Sequence, residues 1–256
     1  MPTLRELSAI GLSLLALSAG VVPVRAQAER PRLVVVLTLD QMRADYVERY
    51  GHQWSSGLKR LVTEGARFTN ASYPYLNTVT CPGHTTISTG TFPRTHGIIL
   101  NAWWDRPTAK LVDCYRDASV AAVSYEEKAP PAPGLSTAGL RAPAFSDELR
   151  AQSIEPPRVI SVAVKARSAI ALGGVKPDTV LWMDRGRLTT STAFAPARQP
   201  WVEAFVQRHV AGVAGQDWTR LLPPERYLGV DADAAERPPT GWSTACLLYT
   251  SPSPRD

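Results

Sequence analysis

The chain has only three cysteines in 256 residues. That is too few for a small scaffold stapled by disulfides, and none of them has zinc-finger spacing. It also lacks any run of like charge. Basic residues outnumber acidic ones, 28 to 23, for a formal charge of +5, but the arginines are scattered singly. This distribution argues against a dedicated nucleic-acid binder. What is present is ordinary for a globular protein, 44% apolar and 20% charged, and sufficient to bury a core.

The two ends read differently from the middle. Arg5 precedes the apolar run LSAIGLSLLALSAGVVPV, which ends at the small-residue sites Val24-Arg25-Ala26 and Ala26-Gln27-Ala28. Residues 1–28 therefore read as a cleaved signal peptide, leaving no stable membrane anchor and placing the protein in the periplasm or outside the cell. After Ala245 the chain runs CLLYTSPSPRD, without periodicity, and one back-translation reproduces a transposase sequencing adapter. Residues 246–256 are accordingly expected to be foreign, and 29–245 to be the N-terminal part of a longer, truncated domain. Cys246 then drops out. Cys81 and Cys114 are left either as a disulfide or as two buried thiols, because spacing does not supply bridging geometry.

Within the middle, Leu33 to Asp40 (LVVVLTLD) reads as a strand buried on both faces. The acid at its carboxyl end falls where open α/β sheets place their sites; a helix N-cap is the plainer role for such an Asp. Ser55 to Gly65 has helical spacing and a glycine stop, and Ala66 to Tyr73 alternates like a strand. In NTVTCPGHTTISTG (Asn77 to Gly90), Pro82 opens a helix that stops at Gly90. Thr80 then lies at a helix N-terminus, where unpaired N–H groups and the dipole favour anions. Further on, Ala144 to Gln152 reads as a helix and Arg158 to Val164 as a second buried strand. Thr179 to Trp182 and Leu188 to Ser191 form a hairpin around Asp184-Arg185-Gly186-Arg187, and Trp201 to His209 is amphipathic.

Several chemistries fail on the residues. Pro82 directly follows Cys81 and no arginine comes after, which breaks the sulfatase pattern; G-x-S-x-G is absent; and His84, one turn on, is poorly placed as base for a Cys81 thiolate. The set Thr80-Cys81-Pro82-Gly83-His84, Thr89-Gly90, Pro93-Arg94-Thr95-His96-Gly97 and Asn101, with Asp40 upstream, resembles the alkaline phosphatase superfamily in its nucleotide pyrophosphatase/phosphodiesterase branch. SVAVKARSAIALGG (Ser161 to Gly174) is similar to the S-x-K-x-R-x-x-x-x-x-G element of the threonine-dependent, phosphate-irrepressible alkaline phosphatases.

That resemblance implies an α/β fold, a three-layer sandwich around a mostly parallel central sheet. It implies two zinc ions, with Asp40 and Thr80 as ligands, Thr80 as the nucleophile that forms a phosphothreonine, and Asn101, Lys165 and Arg167 as phosphate-binding groups. The remaining metal ligands have no counterparts here. His52, His84, His96 and His209 read as structural, so this fragment is expected to be inactive alone. If the strand continues, Lys165 and Arg167 project to one side, and two cations suit the dianion of a small-molecule phosphate monoester. A phosphodiesterase or nucleotide pyrophosphatase is the alternative enzyme, and a non-catalytic secreted binding domain the alternative to an enzyme.

Overall fold

The computed structural model describes residues 31–125, 132–209 and 223–226. The expected signal peptide and the segment 246–256 lie outside the described residues. The chain divides into two compact units, Met1–Leu39 and Asp40–Asp256. In the first, residues 31–39 form neither helix nor strand. Leu33 is 79% exposed and Val35 74%. The buried strand expected over Leu33 to Asp40 is therefore absent, because β-branched side chains favour a strand only where a ladder and a covering layer receive them.

The second unit opens with short helices, α1 (Tyr46–Tyr50) and α2 (Gly57–Glu64), followed by a long irregular stretch. Ala66 to Tyr73 is not a strand; its alternation meets no partner strand among the described residues, and Phe68 stays exposed. Helix α3 (Thr80–Thr89) comes next. It ends at Gly90, whose φ of 65° lies in the left-handed region that glycine enters without penalty. The short α4 (Pro93–His96) begins on its proline and ends at Gly97, φ 86°. A side chain at Gly97 would press on the Gly139 carbonyl.

Strands β1 (Ala102–Asp105) and β2 (Lys110–Asp113) form an antiparallel ribbon. A five-stranded sheet is built from β3 (Arg116–Ser124), β4 (Pro133–Leu135), β5 (Ile160–Ala163), β6 (Thr179–Asp184) and β7 (Arg187–Ser191), in the order β4-β3-β7-β6-β5. Its parallel pair is β5–β6; the others are antiparallel. The β6–β7 hairpin turns at Arg185 and Gly186, φ 49° and 81°, the two positive φ values that a tight hairpin turn requires. Strand β5 was expected to be buried, but only Ser161 is; Ile160 and Val162 are exposed.

Three further helices lie among the described residues of this unit: α5 (Phe145–Ala151), α6 (Ala166–Gly173) and α7 (Pro200–His209). Successive β6 side chains point to opposite faces. Val180 and Trp182 join Ala169, Ile170 and Ala171 of α6, with Cys81, Ile98, Cys114 and Tyr115. Leu181 packs with Tyr125 and with Val202 of α7. The sheet is thus covered on both faces, which gives the α/β layering expected. No helix among the described residues is long and apolar enough to cross a membrane.

His96 fastens α4 to α3. Its Nδ1 accepts the Ile98 N–H at 3.1 Å, so the proton of the neutral ring sits on Nε2, 3.2 Å from Thr86 Oγ1. Thr86 Oγ1 also accepts from the Tyr75 hydroxyl at 2.7 Å. Burial holds the His96 pKa below its ordinary 6.5, since a charged ring would lose solvent and set an N–H against the Ile98 N–H. The fold binds fewer protons here than the unfolded chain does as pH falls below 6.5. The unfolding free energy from urea denaturation should therefore be full above that pH and decline below it, by up to about 1.4 kcal/mol per pH unit from this ring. His96→Gln should flatten that decline. Separately, Ile98→Ala, which empties a fully buried position, should cost about 2–5 kcal/mol in urea denaturation.

Candidate active site

The site grows from the start of α3. Its N-cap is Val79, which has no side-chain oxygen to cap with. The cap comes instead from Asn101, just before β1, whose Oδ1 accepts the Cys81 N–H at 2.8 Å. Pro82 has no N–H, and the Gly83 N–H closes the first turn on the Val79 carbonyl at 3.0 Å. Among the described residues, Thr80 is thus the first-turn position whose N–H remains to face an anion. The unpaired N–H groups expected at this helix start narrow to one.

Thr80 is buried, and its Oγ1 lies 3.4 Å from Asp40 Oδ2. That is long for a hydroxyl bonding to a carboxylate, so this bond does not by itself hold the pair together. Asp40 is exposed, and the next residue, Gln41, has φ 62°. A non-glycine residue in that region is strained by about 1 kcal/mol or more, and the bend falls beside the acid. Tyr73 and Tyr75 brace the helix from the loop before it. Tyr73 donates to the Gly83 carbonyl at 3.3 Å, and the Tyr75 hydroxyl, which donates to Thr86 Oγ1, lies 3.3 Å from the Pro82 carbonyl. Burial, Tyr75 and the Asp40 charge all raise the Tyr73 pKa, keeping it a neutral donor.

His84 lies inside this arrangement. Burial lowers its pKa most; Asp40 and a hydrogen bond to the Thr80 backbone pull it up, and Arg167 pushes it down. One ring therefore feels both the acid at the helix start and the arginine of α6, which packs directly on α3. Lys165 is the N-cap residue of α6, in extended conformation, and Arg167 lies in the helix's first turn. The strand expected to continue through both ends at Ala163. The two cations are gathered instead at the positive end of a helix, which favours anions further.

The structure thus brings Asp40, Thr80 and Asn101 together, with Arg167 in electrostatic reach and Lys165 two residues before it. His52 lies in a short 3-10 turn, and His209 stacks on Phe205 with ring centroids 4.8 Å apart. The disulfide between Cys81 and Cys114, left open by the sequence, is formed. Sequence reasoning missed the bracing role of Tyr73 and Tyr75, for which the aromatic pair in Y-P-Y just before the helix was the available signal.

The carboxylate of Asp40 and the hydroxyl of Thr80 are two adjacent oxygen donors that fit part of a divalent-cation site. No group of three or more His, Cys, Asp or Glu able to hold a metal occurs among the described residues. The pair therefore fits a ligand set only in part.

Comparison with known proteins bears on this geometry. The family model for "Type I phosphodiesterase / nucleotide pyrophosphatase" matches residues 34–238. Alkaline phosphatase PhoV of Synechococcus elongatus is 38% identical over 210 residues, covering 80% of this chain and 38% of that protein. Alkaline phosphatase PafA of Elizabethkingia meningoseptica is 34% identical over 211 residues, covering 81% and 38%. The crystal structure of wild-type PafA superposes with a TM-score of 0.73 at 32% identity, over 82% of this chain and 41% of that one. A PafA variant altered at one threonine, one asparagine, one lysine and one arginine has a TM-score of 0.70 at 30% identity, over 77% and 39%. The chain therefore spans about two fifths of the length of these relatives.

Proposed function

The chain belongs to the type I phosphodiesterase / nucleotide pyrophosphatase family, and from that premise we propose that it carries the nucleophile-bearing part of an exported phosphomonoesterase. The observation that carries the reading is the buried Thr80 hydroxyl at the start of α3, beside the Asp40 carboxylate and under the Asn101 side chain. The four residue types substituted together in the PafA variant are those of Thr80, Asn101, Lys165 and Arg167, which supports treating them as one working set.

In this reading Thr80 Oγ1 bonds to phosphorus as the ester oxygen leaves, forming a phosphothreonine that water then hydrolyses. Asp40 and Thr80 would hold one divalent ion, expected to be zinc, with a second ion held by ligands beyond this set. When bound, such an ion supplies a lowered hydroxyl pKa and neutralises developing charge. Asn101 contributes orientation. Its Oδ1 is committed to the Cys81 N–H, so the Nδ2 donors are what it presents to a non-bridging phosphoryl oxygen. Lys165 and Arg167 add two charges to the positive end of α6 and bind the remaining oxygens.

The balance of charge favours monoesters. A terminal phosphoryl group carries two negative charges, whereas a diester carries one and a second substituent. The alternative is a phosphodiesterase or nucleotide pyrophosphatase, favoured by the description of the family model itself. Export rests on the N-terminal apolar segment and on the Cys81–Cys114 disulfide, which persists in oxidising compartments.

In the full-length protein, Thr80→Ala should lower turnover of p-nitrophenyl phosphate by at least about 10³-fold, and removal of metal by a chelator should abolish it. Lys165→Ala should lower monoester turnover about 10²-fold and hydrolysis of bis-p-nitrophenyl phosphate far less. A wild-type preference for the bis-ester, or equal losses in Lys165→Ala on both substrates, overturns the monoesterase reading.

A further inference from the structure

The disulfide sits next to the reacting hydroxyl rather than in a remote loop. Cys81 follows Thr80 directly and is fully buried, and its partner Cys114 lies in the turn between β2 and β3, also buried. Two hydrogen bonds close the same small circuit. The Cys114 N–H donates to the Asn101 carbonyl at 2.9 Å, and the Cys81 N–H donates to Asn101 Oδ1 at 2.8 Å. Thr80 and Asn101, 21 residues apart in the chain, are thus tied through one covalent link and two short polar ones. A further tie runs alongside, with Thr85 Oγ1 and the Tyr115 hydroxyl 2.6 Å apart. Burial keeps the Tyr115 hydroxyl protonated, its pKa pushed up to about 12.

We propose that the Cys81–Cys114 disulfide is a positioning element of the active site, holding the Thr80 nucleophile in register with the Asn101 amide. The inference rests on the reading of Thr80 as nucleophile. Helix α3 has no cap residue of its own, so the direction in which Thr80 projects is set by where Asn101 receives the Cys81 N–H. Asn101 in turn is placed by Cys114. Without the covalent link, the helix start and the strand start are joined by hydrogen bonds alone, and small rigid-body slips become accessible. Displacements of about 1 Å cost an enzyme on the order of 10²-fold in rate. Both sulfur atoms belong to the apolar core with Ile98, Ala169 and Val180. A reductant reaches them only after the fold opens, which makes the link a standing constraint and not a switch.

The test uses the full-length protein produced in an oxidising compartment. A tryptic map without reduction should contain the peptide cross-linked between Cys81 and Cys114; free thiols at both positions overturn the proposal without any variant. The double variant Cys81→Ala/Cys114→Ala should lose about 10- to 100-fold in kcat on p-nitrophenyl phosphate with KM within about twofold. The backbone amide at position 81 should exchange hydrogen faster in this variant than in the parent. Ile98→Ala, destabilised through the same core, is the structural control and should keep kcat within about twofold. Parental kcat in the double variant, or an equal kcat loss in Ile98→Ala, overturns the positioning role. Full activity in Thr80→Ala would instead overturn the nucleophile reading beneath it.

Discussion

The hydrogen bond from the Cys81 N–H to the Asn101 side chain is what the rest of the site depends on, because α3 begins at a valine that cannot cap it. A helix start presents unpaired donors that must meet side chains, water or ligand. Here a proline removes one of them, a turn within the helix takes another, and a residue 20 positions away takes a third. What is left is the Thr80 N–H beside the Thr80 hydroxyl. The first turn is therefore arranged around a single residue, and the capping group is the same amide that faces the phosphoryl group in the proposed reaction.

This arrangement explains why the local pattern was readable and the distant parts were not. Pro82 and Gly90 mark a helix by chemistry internal to the segment; α3 ends at Gly90 as expected but begins at Thr80, two residues before the proline. The Asp184-Arg185-Gly186-Arg187 turn likewise encodes its own hairpin. Leu33 to Asp40 encodes only a preference for burial, and burial needs neighbours that the segment does not specify; residues 31–39 carry no strand. Ala66 to Tyr73 fails for the same reason. Lys165 and Arg167 were placed on one face of a strand, but the chain turns into α6 between them. Alternation in sequence cannot show where a strand gives way to a helix.

The candidate site residues were singled out by their joint spacing, while the forces that place them were not legible. Neither the capping role of Asn101 nor its tie to Cys114 leaves a local signature, since both join residues that are neighbours only after folding. The histidines show the converse. His96 and His84 sit near Thr80 in sequence, yet burial holds both below their ordinary pKa, and the two nitrogens of His96 are occupied by the Ile98 N–H and the Thr86 hydroxyl. Such a ring stiffens the frame at neutral pH and has no nitrogen to spare for a metal.

Charge follows the same division between frame and function. The frame keeps its interior neutral: two uncharged histidines, the raised hydroxyls of Tyr73 and Tyr115, and a disulfide in place of thiols. Around the site the formal charges are Asp40, 3.4 Å from the Thr80 hydroxyl, and Lys165 and Arg167 at the start of α6. In the proposed reaction a phosphoryl group meets two cations at the positive end of a helix, and a hydroxyl that donates to the Asp40 carboxylate at 3.4 Å. Under the proposed monoesterase reading, discrimination between a dianion and a monoanion depends on how much fixed positive charge stands at α6, and not on the shape of an apolar pocket.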